Sequence, residues 1–142
     1  MAVRLEAQGI QADGYVIDFG DVKKVARALC KELNEKFICP ANSDVLNITT
    51  EGATLRIKCE DGSEFAFPKA DTVMLPIKHS TVEELAHYLC CNVIERFTLV
   101  RLQQRKIKVI HVTVAEAPGQ EAVYSRSIAV PPPPRTRFVA VP

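Results

Sequence analysis

The chain has 142 residues, a length typical of a single domain that can bury a sizeable core. Its hydrophobic content is 47%, and no apolar run approaches the roughly 20 residues that span a bilayer. The net charge of +1 gives no overall attraction to nucleic acid or to an anionic membrane. We therefore expect neither of these partners, and the lack of a signal or transit pattern favours a cytoplasmic location.

The cysteines and histidines indicate no metal centre. The five cysteines are odd in number and form no CxxC pair, so we expect free thiols rather than a disulfide framework or a zinc ribbon. The three histidines, His79, His87 and His111, are scattered along the chain. We expect a half-exposed His87, and a hydrogen-bonded, partly buried His111 on a strand face.

The first part of the chain predicts a strand and then a helix. Residues 3–8 alternate weakly, as a strand does. Asp18 is suited to cap a helix that runs from about residue 20 to residue 36. The helical spacing is carried by Val22, Val25, Leu29 and Leu33.

A break at residues 40–44 separates this helix from a group of short strands. Glu51-Gly52 and Asp61-Gly62 provide turns between β-branched or aromatic runs. These runs cover residues 45–50, 53–59 and 63–67, and an extended segment follows at residues 72–77.

The next segment predicts a second helix. Either Ser80 or Thr81 is suited to the N-cap, and Ser80 with Glu83 has the spacing of a capping box. The apolar stripe continues to about Thr98, and a continuation into residues 99–106 stays open.

The last predicted strands form a hairpin around Pro118-Gly119. They cover about residues 106–115 and 121–128. Glu116 interrupts the apolar face of the first strand, so either the strand has reached water there or the carboxylate binds a ligand. Residues 129–142 form a Pro-rich tail that favours polyproline II.

The element order β-α-(βββ)-α-β-β predicts an α+β fold in which an antiparallel sheet carries two helices on one face. We expect residues 1–128 to form the domain. Because few sheet edges are covered, we expect the sheet to continue into a neighbouring subunit.

Four segments in order resemble the 6-pyruvoyl tetrahydropterin synthase and 6-carboxytetrahydropterin synthase family. Three are "DGYVIDFGDVKK" (13–24), "STVEELAHYL" (80–89) and "VAEAPGQEAVY" (114–124). The fourth, the hairpin that ends in "FPKADTVMLPIKHSTVEELA" (67–86), resembles a subgroup with a β-hairpin inserted between the helices. The resemblance covers about residues 3–128. It implies the tunnelling fold, in which trimers close their sheets into a barrel and two trimers commonly stack as a hexamer.

The resemblance also implies a ligand site and a reaction. Glu116 takes the place of the family's pterin anchor, which accepts hydrogen bonds from the 2-amino and N3–H edge of the ring. Thr81 and Glu83 match positions that line the same pocket. The family reaction is a zinc-dependent conversion of 7,8-dihydroneopterin triphosphate with loss of triphosphate.

The chain departs from the family pattern in its acid–base and metal residues. Met1 matches a position just after the family's zinc-binding His-x-His pair, and no cysteine matches the catalytic one. Zinc is therefore implied for full-length family members, whereas we expect no cofactor in this chain. Asn34-Glu35 replaces the family's Asp-His pair, which leaves Glu35 and His79 as candidate proton carriers.

Three hypotheses follow from the sequence. The first is a pterin-biosynthesis enzyme whose N-terminal segment lies outside this chain. The second is a non-catalytic paralogue that binds a pterin-like molecule or acts as a structural subunit of an oligomer or protein complex. The third is an unrelated α+β binding module whose motifs match by accident.

Overall fold

The computed structural model describes residues 1–129 as two helices, a short third helix, a single 3-10 turn (Lys69–Asp71) and eight strands in three sheets. In chain order these are β1 (Ala2–Ala7), α1 (Phe19–Leu33), β2 (Phe37–Pro40), β3 (Leu46–Glu51), β4 (Thr54–Cys59), β5 (Glu64–Pro68), β6 (Thr72–Leu75), α2 (Val82–Phe97), α3 (Leu99–Gln104), β7 (Ile107–Ala117) and β8 (Gln120–Ser127). The predicted α+β class is confirmed. Of the Pro-rich tail, residues 130–142 lie outside the described part, so its predicted conformation stays a prediction.

The main sheet is antiparallel, with β7 between β1 and β8. Alternation along β7 turns Ile110 and Val112 inward, and both are completely buried. They share one core with Leu29 of α1 and with Leu89 and Val93 of α2. The helices therefore cover one face of this sheet, as predicted.

The segment between α1 and α2 contains two smaller sheets. The three predicted strands form an antiparallel meander, β3-β4-β5, around a small core of Cys39, Leu55 and Ile57. Strand β2 was not predicted; it begins before the predicted break at Pro40 and pairs in parallel with β6. A four-residue strand that ends in proline has too little periodicity to be recognised without its distant partner.

The helix ends differ from their predicted positions for local reasons. Asp18 caps α1 as predicted, and its carboxylate accepts a hydrogen bond from the Gly20 N–H at 2.6 Å. The helix ends at Leu33 because Asn34 is extended, and Glu35 then has a positive φ of 55°. Similarly, Thr98 has a φ of 64°, which separates α2 from α3.

The capping box at the start of α2 was predicted one residue too early. The N-cap is Thr81, whose hydroxyl accepts a hydrogen bond from the Glu84 N–H at 3.4 Å. Ser80 instead donates its hydroxyl to the Ile38 carbonyl at 3.0 Å. Glu84 thus occupies the position of the box residue, although its carboxylate accepts from the Lys78 and His79 N–H groups and not from the N-cap N–H.

Both outer strands of the main sheet, β1 and β8, present an unpaired edge within residues 1–129. Such edges favour pairing with another chain, and the expected oligomer stays a prediction. In this part of the chain no helix has the length and apolar character needed to cross a membrane.

Candidate functional site

Glu116 lies on an irregularity of the β7-β8 hairpin. Ala115 pairs with Glu121 and Ala117 pairs with Gln120, so the register shifts at Glu116 between them. A bulge of this kind bends the strand and redirects a side chain. Glu116 is exposed and enters none of the ion pairs formed within residues 1–129. Its carboxylate is therefore free to accept hydrogen bonds from a ligand.

The turn after the bulge fixes the hairpin geometry. Pro118 and Gly119 form its tip, and Gly119 has a φ of 78°. Proline followed by a residue with positive φ is the pattern of a type II turn, in which glycine avoids the strain that a side chain would cause. The tip therefore holds the end of β7 in one defined conformation.

The N terminus of α2 is organised by Glu84. Its carboxylate accepts hydrogen bonds from the Lys78 N–H at 2.7 Å and from the His79 N–H at 3.2 Å. The Lys78 ammonium in turn donates to Asp44 at 3.1 Å, which holds the pKa of Asp44 below its ordinary value. Glu84 thus fixes the loop that carries His79, and sequence reasoning missed this role because the capping box was placed one residue early.

Thr81 and Glu83 are both exposed at this helix start. The first-turn N–H groups of a helix lack intrahelical acceptors, and the positive end of its dipole favours acceptor atoms nearby. The Thr81 oxygen already serves the Glu84 N–H, yet its hydroxyl proton stays available as a donor. The cap and a ligand contact are therefore compatible at Thr81.

The topology brings the predicted site residues to one end of the domain. Because α2 leads through α3 directly into β7, α2 and β7 run in opposite directions. The N terminus of α2 and the end of β7 with Glu116 consequently lie toward the same end. The ring of His87, in the first half of α2, contacts that of Tyr124, which pairs with Val112 in the middle of β7, and the ring centroids lie 4.5 Å apart. Farther along α2, the Cys91 sulfur lies 3.5 Å from Arg126, which pairs with the earlier β7 residue Ile110. These two contacts agree with that orientation.

Glu35 lies toward the same end as the start of α2. It lies in the short connection between the C terminus of α1 and β2. The hydrogen bond between Ser80 and Ile38 joins β2 to the residues before α2. Glu35 and His79 are thus both near this junction, and neither is in a described ion pair within residues 1–129.

The three histidines lie apart from one another. His79 precedes α2. His87 is exposed, and its ring contacts the ring of Tyr124. His111 lies on the outer sheet face, where Nδ1 is 2.7 Å from the Ser125 hydroxyl and Nε2 is 3.0 Å from the Glu6 carboxylate. The predicted partly buried, hydrogen-bonded state of His111 is confirmed, since its side chain is only 17% exposed.

The residues present do not fit a zinc ion. Across residues 1–129, no three histidine, cysteine, aspartate or glutamate side chains come together in a group that would hold a metal. We therefore assign zinc to no residue of this chain. The cysteines in the described part are free, and burial raises the pKa of the Cys90 thiol to about 11.

Comparisons with known proteins agree with this fold. The family model of 6-pyruvoyl tetrahydropterin synthase matches residues 1–127. The crystal structure of the Plasmodium vivax 6-pyruvoyl tetrahydropterin synthase is 46% identical, with a TM-score of 0.86, and the alignment covers 89% of this chain and 77% of that chain. The Plasmodium falciparum 6-pyruvoyl tetrahydropterin synthase is 37% identical, with the same TM-score of 0.86 and the same coverage of 89% and 77%.

A curated relative extends the comparison to archaea. A Methanocaldococcus jannaschii protein, provisionally named a 6-carboxy-5,6,7,8-tetrahydropterin synthase, is 34% identical over 116 residues, which cover 82% of this chain and 69% of that protein. The fold thus defines the class of α+β domains shared by these pterin synthases. The chain belongs to the 6-pyruvoyl tetrahydropterin synthase family, which acts in pterin biosynthesis.

Proposed function

We propose that this protein is a pterin-binding subunit of a 6-pyruvoyl tetrahydropterin synthase-type lyase that acts on 7,8-dihydroneopterin triphosphate. The observation that carries the proposal is the exposed Glu116 carboxylate on the β7 bulge, at the same end of the domain as the start of α2 and in no ion pair formed within residues 1–129. Membership of the family supports the substrate class.

Glu116 is suited to recognise the ring. A carboxylate has two oxygens, and the 2-amino and N3–H groups of a pterin present two parallel donors. Such a charge-assisted pair fixes the ring orientation as well as adding affinity. We assign Thr81 and Glu83 to the same pocket, either within one chain or across a boundary between two subunits.

Assembly into an oligomer would bring Glu116 of one subunit to the start of α2 in another. The unpaired edges of β1 and β8 support assembly through the main sheet, and a trimer or a pair of trimers would close it without free edges. We propose a homo-oligomer with pterin pockets at its subunit boundaries. Sedimentation as a monomer at micromolar concentration would contradict this.

Proton transfer is assigned to Glu35 and His79. Both lie near the junction of β2 with the start of α2, and a carboxylate and an imidazole are the side chains that most often act as acid and base. The Plasmodium vivax relative has a glutamate described as a catalytic residue, which gives a carboxylate in catalysis a precedent within the family. No step is routed through a metal, because the described residues hold no site for one.

The dispersed histidines favour one alternative. A protein that binds the pterin without converting it needs Glu116 but no metal and no proton carrier. A protein that contributes only structure to a complex needs the sheet edges alone. Turnover separates the two functions. Release of triphosphate from 7,8-dihydroneopterin triphosphate, with and without added zinc, supports the lyase, whereas tight binding without release supports the non-catalytic subunit.

Isothermal titration with 7,8-dihydroneopterin tests the binding step. Replacing Glu116 with glutamine removes the negative charge and one acceptor, so we expect affinity to fall by about 100-fold, which corresponds to about 3 kcal/mol. The matched control is Glu121→Gln, an exposed carboxylate on the opposite strand of the same hairpin. Equal affinities of the two variants would overturn the assignment of Glu116.

A further inference from the structure

The solvent face of α1 carries a cluster of cations, which we call the α1 basic face: Lys23, Lys24, Arg27 and Lys31. At 3.6 residues per turn these four positions lie within an arc of about 100° and extend over about 12 Å. The two lysines, Lys23 and Lys31, and Arg27 between them follow successive turns. The cluster is therefore a line of positive charge along one side of a rigid helix.

The carboxylates of the same helix do not neutralise this line. The Asp21 carboxylate accepts a hydrogen bond from Arg101, and Glu32 pairs with Arg96. Asp18 caps the helix through the Gly20 N–H. Within residues 1–129, the four cations of the basic face enter none of the ion pairs. The field of the basic face is therefore not compensated locally.

The basic face leads toward the candidate site. Lys31 lies in the last turn of α1. The chain then passes Glu35 and enters β2, where Ile38 accepts the hydrogen bond from Ser80 at the start of α2. Met1, which precedes β1, lies against Cys30, with the two sulfur atoms 3.7 Å apart, and β1 begins opposite Thr113, just past the middle of β7. Glu32, in the last turn of α1, also reaches Arg96 in the last turn of α2. The C-terminal half of α1 thus lies beside the half of β7 that leads to Glu116.

We infer that the α1 basic face steers the triphosphate group of the substrate toward the pterin pocket. This inference rests on the proposed function, because it requires a substrate with a polyanionic tail. A triphosphate carries several negative charges, and a line of uncompensated cations attracts it over a distance set by the Debye length. The face acts before the ring is bound, so it raises the association rate and leaves ring recognition to Glu116.

Stopped-flow binding measures this effect with two probes. One is 7,8-dihydroneopterin triphosphate, and the other is uncharged 7,8-dihydroneopterin. The variant Lys23→Gln/Lys31→Gln removes two charges from the basic face. The control Lys106→Gln/Lys108→Gln removes two exposed charges near the start of β7, at the other end of the domain. Both variants change the net charge equally.

We expect the face variant to bind the triphosphate about threefold more slowly than the control at roughly 10 mM salt. The difference should shrink to less than about 1.5-fold at roughly 150 mM salt, where the Debye length is about 8 Å. Association of uncharged dihydroneopterin should be the same in all proteins. This pattern would support steering by α1.

Two results would overturn the inference, and they are distinguishable. Suppose that the face variant and the control bind both pterins and associate with the triphosphate at equal rates. That result would exclude steering by α1 but leave the proposed function intact. Failure of the unaltered protein to bind either pterin would exclude the proposed function and steering with it.

Discussion

The main sheet and the β3-β5 meander are built from similar strands but differ in how much they bury. Among residues 1–129, the main sheet shares a core of twelve buried residues with α1, α2 and α3, whereas the meander closes over three. The two regions should therefore differ in stability. The candidate ligand residues Glu116, Thr81 and Glu83 all belong to the better-packed region. A binding site is held most accurately on elements whose positions are fixed by packing.

The largest effect is expected in the main core. Phe97 is 2% exposed, and the Arg101 guanidinium lies over its ring at 5.6 Å. Phe97→Ala should lower the free energy of unfolding by about 4 kcal/mol, because it removes buried area and leaves a cavity. Urea denaturation followed by circular dichroism measures this. The control is Leu99→Ala, at a residue that is 50% exposed, which should change the free energy of unfolding by less than about 0.5 kcal/mol. An equal loss of stability in both variants would contradict the burial of Phe97 in the main core.

A smaller and more local effect is expected in the meander. Leu55 is 3% exposed, yet the meander core to which it belongs contains few other buried residues. Leu55→Ala should cost about 2 kcal/mol, at the low end of such substitutions. Hydrogen exchange should lose protection in β3, β4 and β5 while the amides of β7 keep theirs. A uniform loss across both sheets would show that the two regions unfold as one unit.

The buried thiols provide a comparison of the two cores without a change to Cys39 or Cys90. Cys39 belongs to the meander core and Cys90 to the main core, and both are completely buried. Burial raises the pKa of both thiols, so labelling requires opening. In a background where Cys30, Cys59 and Cys91 are replaced by serine, Cys39 should react with a thiol reagent at least about 10-fold faster than Cys90. Equal rates would indicate a single opening event.

The smallest effect concerns the outer face of the main sheet. Hydrogen bonds from Arg4 and then His111 hold the pKa of Glu6 below its ordinary value of 4.5. A carboxyl group whose pKa is lower in the folded than in the unfolded protein stabilises the fold at pH values above its pKa in the unfolded state. That contribution is lost as the pH falls through the pKa of the folded state. Glu6→Gln should therefore show a slightly shallower fall of Tm between roughly pH 5 and pH 3. Glu121→Gln serves as the control, and an identical profile for Glu6→Gln and the unaltered protein would contradict this contribution.

The element order was largely predictable from the sequence, because periodicity and turn residues are local signals. Both helices and the strands on either side of Gly52 and Pro118-Gly119 were expected. The parallel β2-β6 pair was not, since it joins short segments that are distant in sequence. Parallel pairing of this kind is specified by packing rather than by local propensity.

The composition of the candidate site stays a prediction, and the structure adds local detail that the sequence did not show. Resemblance selected Glu116, Thr81 and Glu83, yet alternation alone placed Glu116 on the buried face of β7. The bulge at Glu116 changes that, and it depends on how the hairpin pairs rather than on any single residue type. The role of Glu84 was missed because both Ser80 and Thr81 are N-cap residue types, and the contact of Ser80 with Ile38, which leaves Thr81 as the cap, is not visible in the sequence.

The assignment of Glu116 as the ring anchor is tested most directly by a thermodynamic cycle. It compares binding of a pterin and of its analogue without the 2-amino group to the unaltered protein and to Glu116→Gln. We predict that loss of the amino group weakens binding to the unaltered protein by at least about 10-fold and has little effect on the variant, because the two groups are direct partners. The same loss of affinity in both proteins would contradict a contact between the pterin 2-amino group and Glu116.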